Sequence, residues 1–539
     1  MKDLRIIISL PLLLAVLLLP SLTFAAEDIE DVETVETSEI IETEADADID
    51  TTDRTKSAES YIAIGTALLN NGKGAKAIKA FTKALAKDGS NARTYYNRAL
   101  AYSSLGRHKQ AIRDFNRAIK LNPKEASFLY NRAVAFKKTG KDAHAFKDFS
   151  RTITLDRDYT SAYIHRAIIN YKNGNTRKAI KDLNIAISLD PSNLLAVKKR
   201  GDAYKKYGNS KKAALDYTDA IAINPADADL YVSRGKVYSD LKSWDKSIKD
   251  FTKAITINPE LFSSYLYRGI AQIEVNLNTE AITDLTKALE INPKKVRVFF
   301  NRGRAYVNNK LYDEAIDDFT DAIKLRSKDT RNYIERANAN LLAGNFEHAI
   351  SDSSKVLSRR PEYAPSYLVR GEAYDAFGDK EQAVKNYTNA IALDSKLARA
   401  YQLRGKIRYN SGQLKLALRD FTAAINNGDK TPATLLAITE IQITSGSFKG
   451  AIKNTRYTAK LPLETWEKVM NTFFSYTAKK ITKQNVKKEE AIMDKIIDED
   501  YTFEWSFERF DTWLETTKMA PRRRADIRAM SFLVREHTR

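Results

Sequence analysis

Tyr95-Tyr96-Asn97-Arg98-Ala99, then Ala111-Ile112-Arg113-Asp114-Phe115, then Asn122-Pro123 form one copy of a pattern that returns every 34 residues, twelve times, without insertion or deletion. The cleanest column holds Ala111, with Ala77, Ala145, Ala179, Ala213, Ser247, Ala281, Ala315, Ala349, Ala383, Ala417 and Ala451 in the same place in the other copies. Four residues later comes a bulky column that includes Phe81, Phe115, Phe149, Leu183, Tyr217, Phe251, Leu285, Phe319, Tyr387 and Phe421. Three further on is a second alanine column, with Ala84, Ala118, Ala186, Ala220, Ala254, Ala288, Ala322, Ala390 and Ala424. Offsets of 0, 4 and 7 fall on one helix face, so these columns predict a buried helical stripe. Pro123, Pro191, Pro225, Pro259, Pro293 and Pro361 stop that helix.

Twelve residues before the first alanine column lies another small one, including Gly65, Ala99, Gly201, Gly235, Gly269, Gly303, Gly371 and Gly405, flanked by aromatics such as Tyr231 and Tyr238. Small residues let two helices approach, and the aromatics fill the space beside them. Each copy therefore predicts a helix hairpin. A lone hairpin cannot bury its faces, so the copies must stack into a solenoid with a continuous core.

With these columns in place, the pattern resembles the tetratricopeptide repeat (TPR), and the resemblance covers Ala58 to Thr465. It implies an all-α fold, a right-handed superhelical α-solenoid whose concave surface, lined by the first helices, holds a peptide or partner segment. The twelfth copy departs from the pattern, with Thr439, Thr455 and Thr458 in core columns. Chaperone-binding members clamp a terminal carboxylate with a Lys and an Asn of one first helix. Ile62 and Thr66 stand there in the first copy, and Lys198 is matched with Asp202 in the fifth, so that clamp is not expected.

Composition narrows the chemistry. Among 539 residues there is no Cys, which removes disulfides, thiolate metal sites and a Cys nucleophile. The five histidines, His108, His144, His165, His348 and His537, are scattered. No phosphate loop, nucleophile motif or metal cluster stands outside the repeats, so no catalytic residue, cofactor, metal or small-molecule substrate is expected. The net charge of +19 is uneven: Glu27 to Ser60 carries −12 and Tyr61 to Thr465 carries +28. So basic a middle implies an anionic partner or neighbourhood, or helix faces solvated by Lys and Arg.

Residues 1–25 read as a secretory signal peptide: Lys2 and Arg5, an apolar run from Ile6 to Leu22, and a small-residue end at Thr23-Phe24-Ala25. The expected location is an exported one, periplasmic or secreted, with an uncleaved membrane anchor as the alternative. Residues 26–57 are acidic, without aromatics, and predicted to be disordered. Residues 466–539 leave the period and predict three helical segments, Trp466 to Lys483, Lys487 to Lys518 and Pro521 to Glu536. Trp466, Trp505, Trp513, Phe473, Phe474, Phe503, Phe507 and Phe510 give them apolar surface to cap the last repeat, or to dock a partner. Arg522, Arg523 and Arg524 form a small basic cluster suited to an anionic surface.

Ten consecutive copies carry Arg before the small residue: Arg98, Arg132, Arg166, Arg200, Arg234, Arg268, Arg302, Arg336, Arg370 and Arg404. Sixteen residues after each stands Asp114, Asp148, Asp182, Asp216, Asp250, Asp284, Asp318, Asp352, Asn386 or Asp420. Such a ladder binds a polyanion or ties helices together. A carboxylate at fixed offset favours the ties, since an Arg kept for a ligand needs no standing partner. Asn386-Tyr387-Thr388 also matches a glycosylation triplet, but Tyr387 belongs to the bulky core column.

Projection of the first helices places on the concave face Tyr130, Val134, Ile164, Ile168 and Tyr171; then Lys198, Lys205 and Lys236; then Leu266, Ile270, Ile273, Phe300, Val307, Ile334, Leu341 and Leu368, with Arg297, Arg304 and Arg331 among them. Apolar stretches beside basic ones suit an acidic protein or peptide segment with hydrophobic anchors, each contributing about 1–3 kcal/mol when buried. For any one of these residues, packing against a neighbouring repeat is the other reading. The sequence thus points to a non-catalytic interaction scaffold, with a binder of an anionic polymer, polysaccharide or nucleic acid, as the second class. It does not fix the oligomeric state.

Overall fold

The computed structural model describes residues 56–496 and 505–535. Residues 1–25, expected to be a signal peptide, and nearly all of the acidic segment lie outside the described residues. Within them the chain forms 28 α-helices, numbered α1 to α28 in chain order, and no strand. The first 24 pair into twelve hairpins in the register of the 34-residue period; α3 (Ala92–Ser104) and α4 (His108–Leu121) are the second. The contacts divide the chain into two units, Met1–Ala196 and Val197–Arg539, and the division falls inside α9 (Leu194–Lys206). Each is a stack of hairpins, an α-solenoid.

The columns supply the core. Ala111, Phe115 and Ala118 are fully buried in the first unit, as are Ala315, Phe319 and Ala322 in the second. Ser247 takes an alanine place and stays buried by donating its hydroxyl to the Gly235 carbonyl at 2.8 Å. The small column is small for a measurable reason: a Cβ on Gly235 would stand 2.7 Å from Phe251 Cε1, inside contact distance. The turn of every hairpin takes one residue at positive φ, at the fifteenth place of the copy. Glycine supplies it except in repeats 6 to 8, where Lys242, Asn276 and Lys310 hold φ of 55°, 62° and 62°.

Within each unit, first helices also touch first helices. α11 (Ala228–Asp240) meets α13 (Phe262–Glu274), which meets α15 (Val296–Asn308), and this meets α17 (Thr330–Ala343). In the first unit α3 meets α5 (Ala126–Lys138). The first helices therefore line the inner side of each stack.

Repeat 12 folds despite its threonines. Thr439, Thr455 and Thr458 are buried and bond back to helix carbonyls at 2.8, 3.0 and 3.0 Å, which satisfies their hydroxyls without a partner helix. Beyond it, α25 (Thr465–Ile481) opens with a capping box between Glu464 and Glu467. Its Val469, Met470, Phe473 and Phe474 join Leu436, Ile443 and Ile452 of repeat 12, and Phe510, Ile527 and Val534 of the last helices, in one buried cluster.

The predicted helix from Lys487 to Lys518 is not continuous. α26 (Lys487–Ile496) and α27 (Glu508–Thr516) are separate, and Trp505 to Phe507 are not helical. Trp505 instead donates Nε1 to the buried Glu440 carboxylate at 3.1 Å; this carboxylate also accepts from the Tyr409 hydroxyl, over whose ring Arg509 lies. Arg523 and Arg524, expected at an anionic surface, bond to the carbonyls of Ile481 and Thr517 at 3.1 and 2.7 Å, where α28 (Pro521–Arg535) begins.

Candidate partner-binding face

The arginine ladder is closed. Nine guanidinium groups meet the aspartate sixteen residues on in two-pronged bonds: Arg98 with Asp114, Arg132 with Asp148, Arg166 with Asp182, Arg200 with Asp216, Arg234 with Asp250, Arg268 with Asp284, Arg302 with Asp318, Arg336 with Asp352 and Arg404 with Asp420, each with a contact of 2.7 or 2.8 Å. Arg370 keeps the bond with Asn386 in place of Asp, at 2.8 Å. Asn386 is buried in that role and Tyr387 is fully buried, so the acceptor asparagine of the glycosylation triplet is packed inside the helix pair.

The sequence reading missed a third partner. The remaining guanidinium nitrogen reaches back sixteen residues to the second helix of the preceding repeat: Arg234 to Thr218, Arg268 to Thr252 and Arg302 to Thr286, each at 3.0 Å, and Arg336 to Thr320 at 2.8 Å. In the first unit Arg98 does the same with Thr82, and Arg132 with Asn116. Each of these six arginines thus joins three helices of two repeats. Burial pushes the Asp318 carboxyl above its ordinary value even against the pull of Arg302. Against burial, Arg302 is itself held above its ordinary value by Asp318, so within this pair the cost of desolvation falls on the carboxylate while the guanidinium charge is held in place.

The inner faces are where a partner could be met. In the first unit Tyr130, Val134, Ile168 and Tyr171 are half-buried, while Ile164, expected there, is core at 3% exposure. In the second unit Ile270, Phe300, Val307, Leu341 and Leu368 are half-buried. Leu266, Ile273 and Ile334 are core residues at 5%, 4% and 7%. Leu266 and Ile273 cluster with Ala281, Leu285 and Val298, and Ile334 with Val356 and Val369, so first and second helices alike cover them, and projection of one helix does not register its neighbours.

The six predicted basic residues divide the same way. Lys198 faces Asp227 at 3.8 Å rather than Asp202, which accepts from the Tyr217 hydroxyl at 2.6 Å. Lys205 pairs with Asp240 at 3.6 Å, Arg304 with Glu274 at 3.7 Å, and Arg331 folds onto Asp329 at 2.7 Å. Lys236 and Arg297 instead converge on the ring of Tyr267, a residue that sequence reasoning passed over between the core Leu266 and the ladder Arg268. On the inner face of the first unit, the His165 imidazole lies 3.1 Å from Lys137 and against Phe149. Burial, helped by the lysine charge, holds it down to about 3. Among the described residues no group of three or more His, Asp or Glu is placed to hold a metal ion, and no helix is long and apolar enough to cross a membrane.

Sequence profiles of the tetratricopeptide repeat match residues 58–88, 92–125, 160–193, 228–261, 268–332 and 364–397. Among solved structures, MamA is 25% identical over 30% of this chain and 94% of its own, with a TM-score of 0.29. A tetratricopeptide repeat protein from Parabacteroides merdae is 23% identical over 46% of this chain and 98% of its own, with a TM-score of 0.38. Yeast Tom70 is 20% identical over 82% of this chain and 99% of its own, with a TM-score of 0.39. No curated protein sequence matches the chain.

Proposed function

Since the chain is a tetratricopeptide repeat protein, we propose that it works as a non-catalytic scaffold that holds an acidic protein or peptide segment against the inner faces of its first helices. The observation that carries this reading is the mixture on α13 and α15: half-buried Ile270 and Phe300 stand one turn from Tyr267 and Arg297. Apolar side chains left partly open beside a cation offer both the anchor and the orienting charge that a short extended ligand needs. The +28 carried by Tyr61 to Thr465 would draw such a ligand in. An exported compartment is part of this proposal, supported by the signal-like pattern of residues 1–25, and the partner would be sought there.

The test is fluorescence anisotropy with short acidic peptides bearing leucine or phenylalanine anchors, at several salt concentrations. Saturable binding with modest salt dependence, weakened about tenfold by Phe300→Ala, supports the scaffold. Binding that survives the substitution and collapses steeply as salt rises points to the anionic-polymer reading, which the net charge also favours. No binding of any acidic peptide removes the groove proposal.

A further inference from the structure

Lys205, Lys236, Tyr267 and Arg297 follow one another at intervals of 31, 31 and 30 residues, on α9, α11, α13 and α15. A step of 34 lands at the same place on the next first helix. Stopping about one turn short moves back along it, so the four form a diagonal across the inner face. The Lys236 ammonium lies 4.2 Å from the centroid of the Tyr267 ring and the Arg297 guanidinium 4.9 Å from the same centroid. Arg297 also donates to the Tyr267 hydroxyl at 3.2 Å.

The nearby carboxylates serve elsewhere: Asp240 faces Lys205, Asp227 faces Lys198, Asp202 takes Lys199 and Tyr217, and Glu274 faces Arg304. Burial, then repulsion from Lys205 and Arg297, holds Lys236 below its ordinary value against the opposing pull of Tyr267. Burial pushes the Tyr267 phenol up, yet Lys236, Arg297 and Lys205 outweigh it, and the phenol ends below its ordinary value. Both groups sense positive charge with no anion to answer it.

We propose that Lys236, Arg297 and the Tyr267 hydroxyl form an oxyanion site on the inner face of repeats 6 to 8, and that it takes a doubly charged phosphoryl group carried by a peptide partner. This rests on the groove reading above and adds to it. Two cations without carboxylates match a phosphomonoester, which carries about −1.5 to −2 at pH 7; a single carboxylate would leave one of them unanswered. The Arg fork suits phosphate oxygens, the ammonium acts as a point charge, and the hydroxyl that accepts from Arg297 still has a proton to donate. Ile270 and Phe300, each three residues after a member of the site, would hold the apolar flanks of the peptide.

The experiment is calorimetric titration of the full chain, at constant ionic strength, with inorganic phosphate, acetate and a short peptide carrying phosphoserine between leucines. Expected are one saturable site for phosphate, none for acetate, tighter binding of the peptide, and on the order of tenfold loss in Lys236→Met and in Arg297→Met. Lys253→Gln, an exposed position on α12 (Trp244–Ile257), should leave all of this unchanged. Circular dichroism melts confirm that the variants fold. A second readout is an ultraviolet difference titration, in which phosphate should move the ionisation of one tyrosine to higher pH in the wild-type chain and not in Tyr267→Phe.

Absence of saturable phosphate binding, or binding that both methionine variants preserve, overturns the site. Equal affinity for free phosphate and the peptide overturns the peptide-borne source. Phosphate binding together with failure of every acidic peptide sinks the groove reading alone; peptide binding without phosphate binding sinks this site alone.

Discussion

Arg302 and Arg297 sit five residues apart on α15, and their surroundings differ completely. Arg302 is closed on both sides, by Asp318 at 2.7 Å and by Thr286 at 3.0 Å. Arg297 has only the ring and hydroxyl of Tyr267, which it shares with Lys236. The seam between helices uses its arginines up; the inner face of repeats 6 to 8 leaves cations in hand. Abundance of basic residues therefore says little about binding in this chain. What matters is whether a carboxylate has been provided at the right offset.

The comparison can be broken most forcefully at the seam. Asp318→Ala leaves the Arg302 charge half-buried without its partner and should destabilise the chain by about 3 kcal/mol in urea unfolding. Asp318→Asn, which copies the natural Arg370–Asn386 pair, should cost clearly less, about 1 kcal/mol, because the guanidinium still donates one hydrogen bond, now to a neutral amide oxygen. Equal costs for the two substitutions would mean that shape, not charge, is what the ladder requires.

His165 tests the inner face of the first unit. Its folded value near 3 lies below the ordinary 6.5, so the unfolded chain binds a proton that the folded chain refuses. Stability should fall as pH drops from 6.5 toward 3, at up to about 1.4 kcal/mol per pH unit, and His165→Phe should flatten that limb of the urea midpoint against pH. Unchanged slopes would show that the imidazole is not held neutral.

The smallest effect sharpens the contrast between the two arginines. Lys236 is held below its ordinary value, so its charge opposes folding at neutral pH and ceases to do so as pH climbs past the ordinary lysine value. Lys236→Met should therefore raise the urea midpoint of the ligand-free chain slightly at pH 7, with the gain shrinking in alkali. A loss of stability at pH 7 would mean that the ammonium is already compensated.

The period of 34 made the hairpins, the core columns and the Arg–Asp pairs legible, because each depends on a partner at a fixed offset along the chain. The hydroxyl ties escaped notice although they obey the same period. Thr218 and Thr286 read as solvated positions until the following repeat is laid beside them. Tyr267 was hidden for a related reason: it is linked to Lys236 and Arg297 by a diagonal of 31 and 30, which a search at 34 does not see. Ile164 and Leu266 carry the pattern of an open face and are covered by neighbours instead. At the C-terminal end the aromatic run from Phe503 to Phe510 looks helical, yet Trp505 is diverted to the buried Glu440, a pairing between residues 65 apart that no local pattern announces.

The hydroxyl ties also have a mechanical consequence. Arg404 grips both Asp420 and Thr388, and Ile438 stands in its place in the twelfth copy, which is therefore left without that clasp. Stretched from its C-terminus, the molecule should first shed its last copy and the helices beyond it, and then open inward one latch at a time. Each latch would release 34 residues, about 115 Å of slack, so the force trace should resemble a ratchet with evenly spaced teeth.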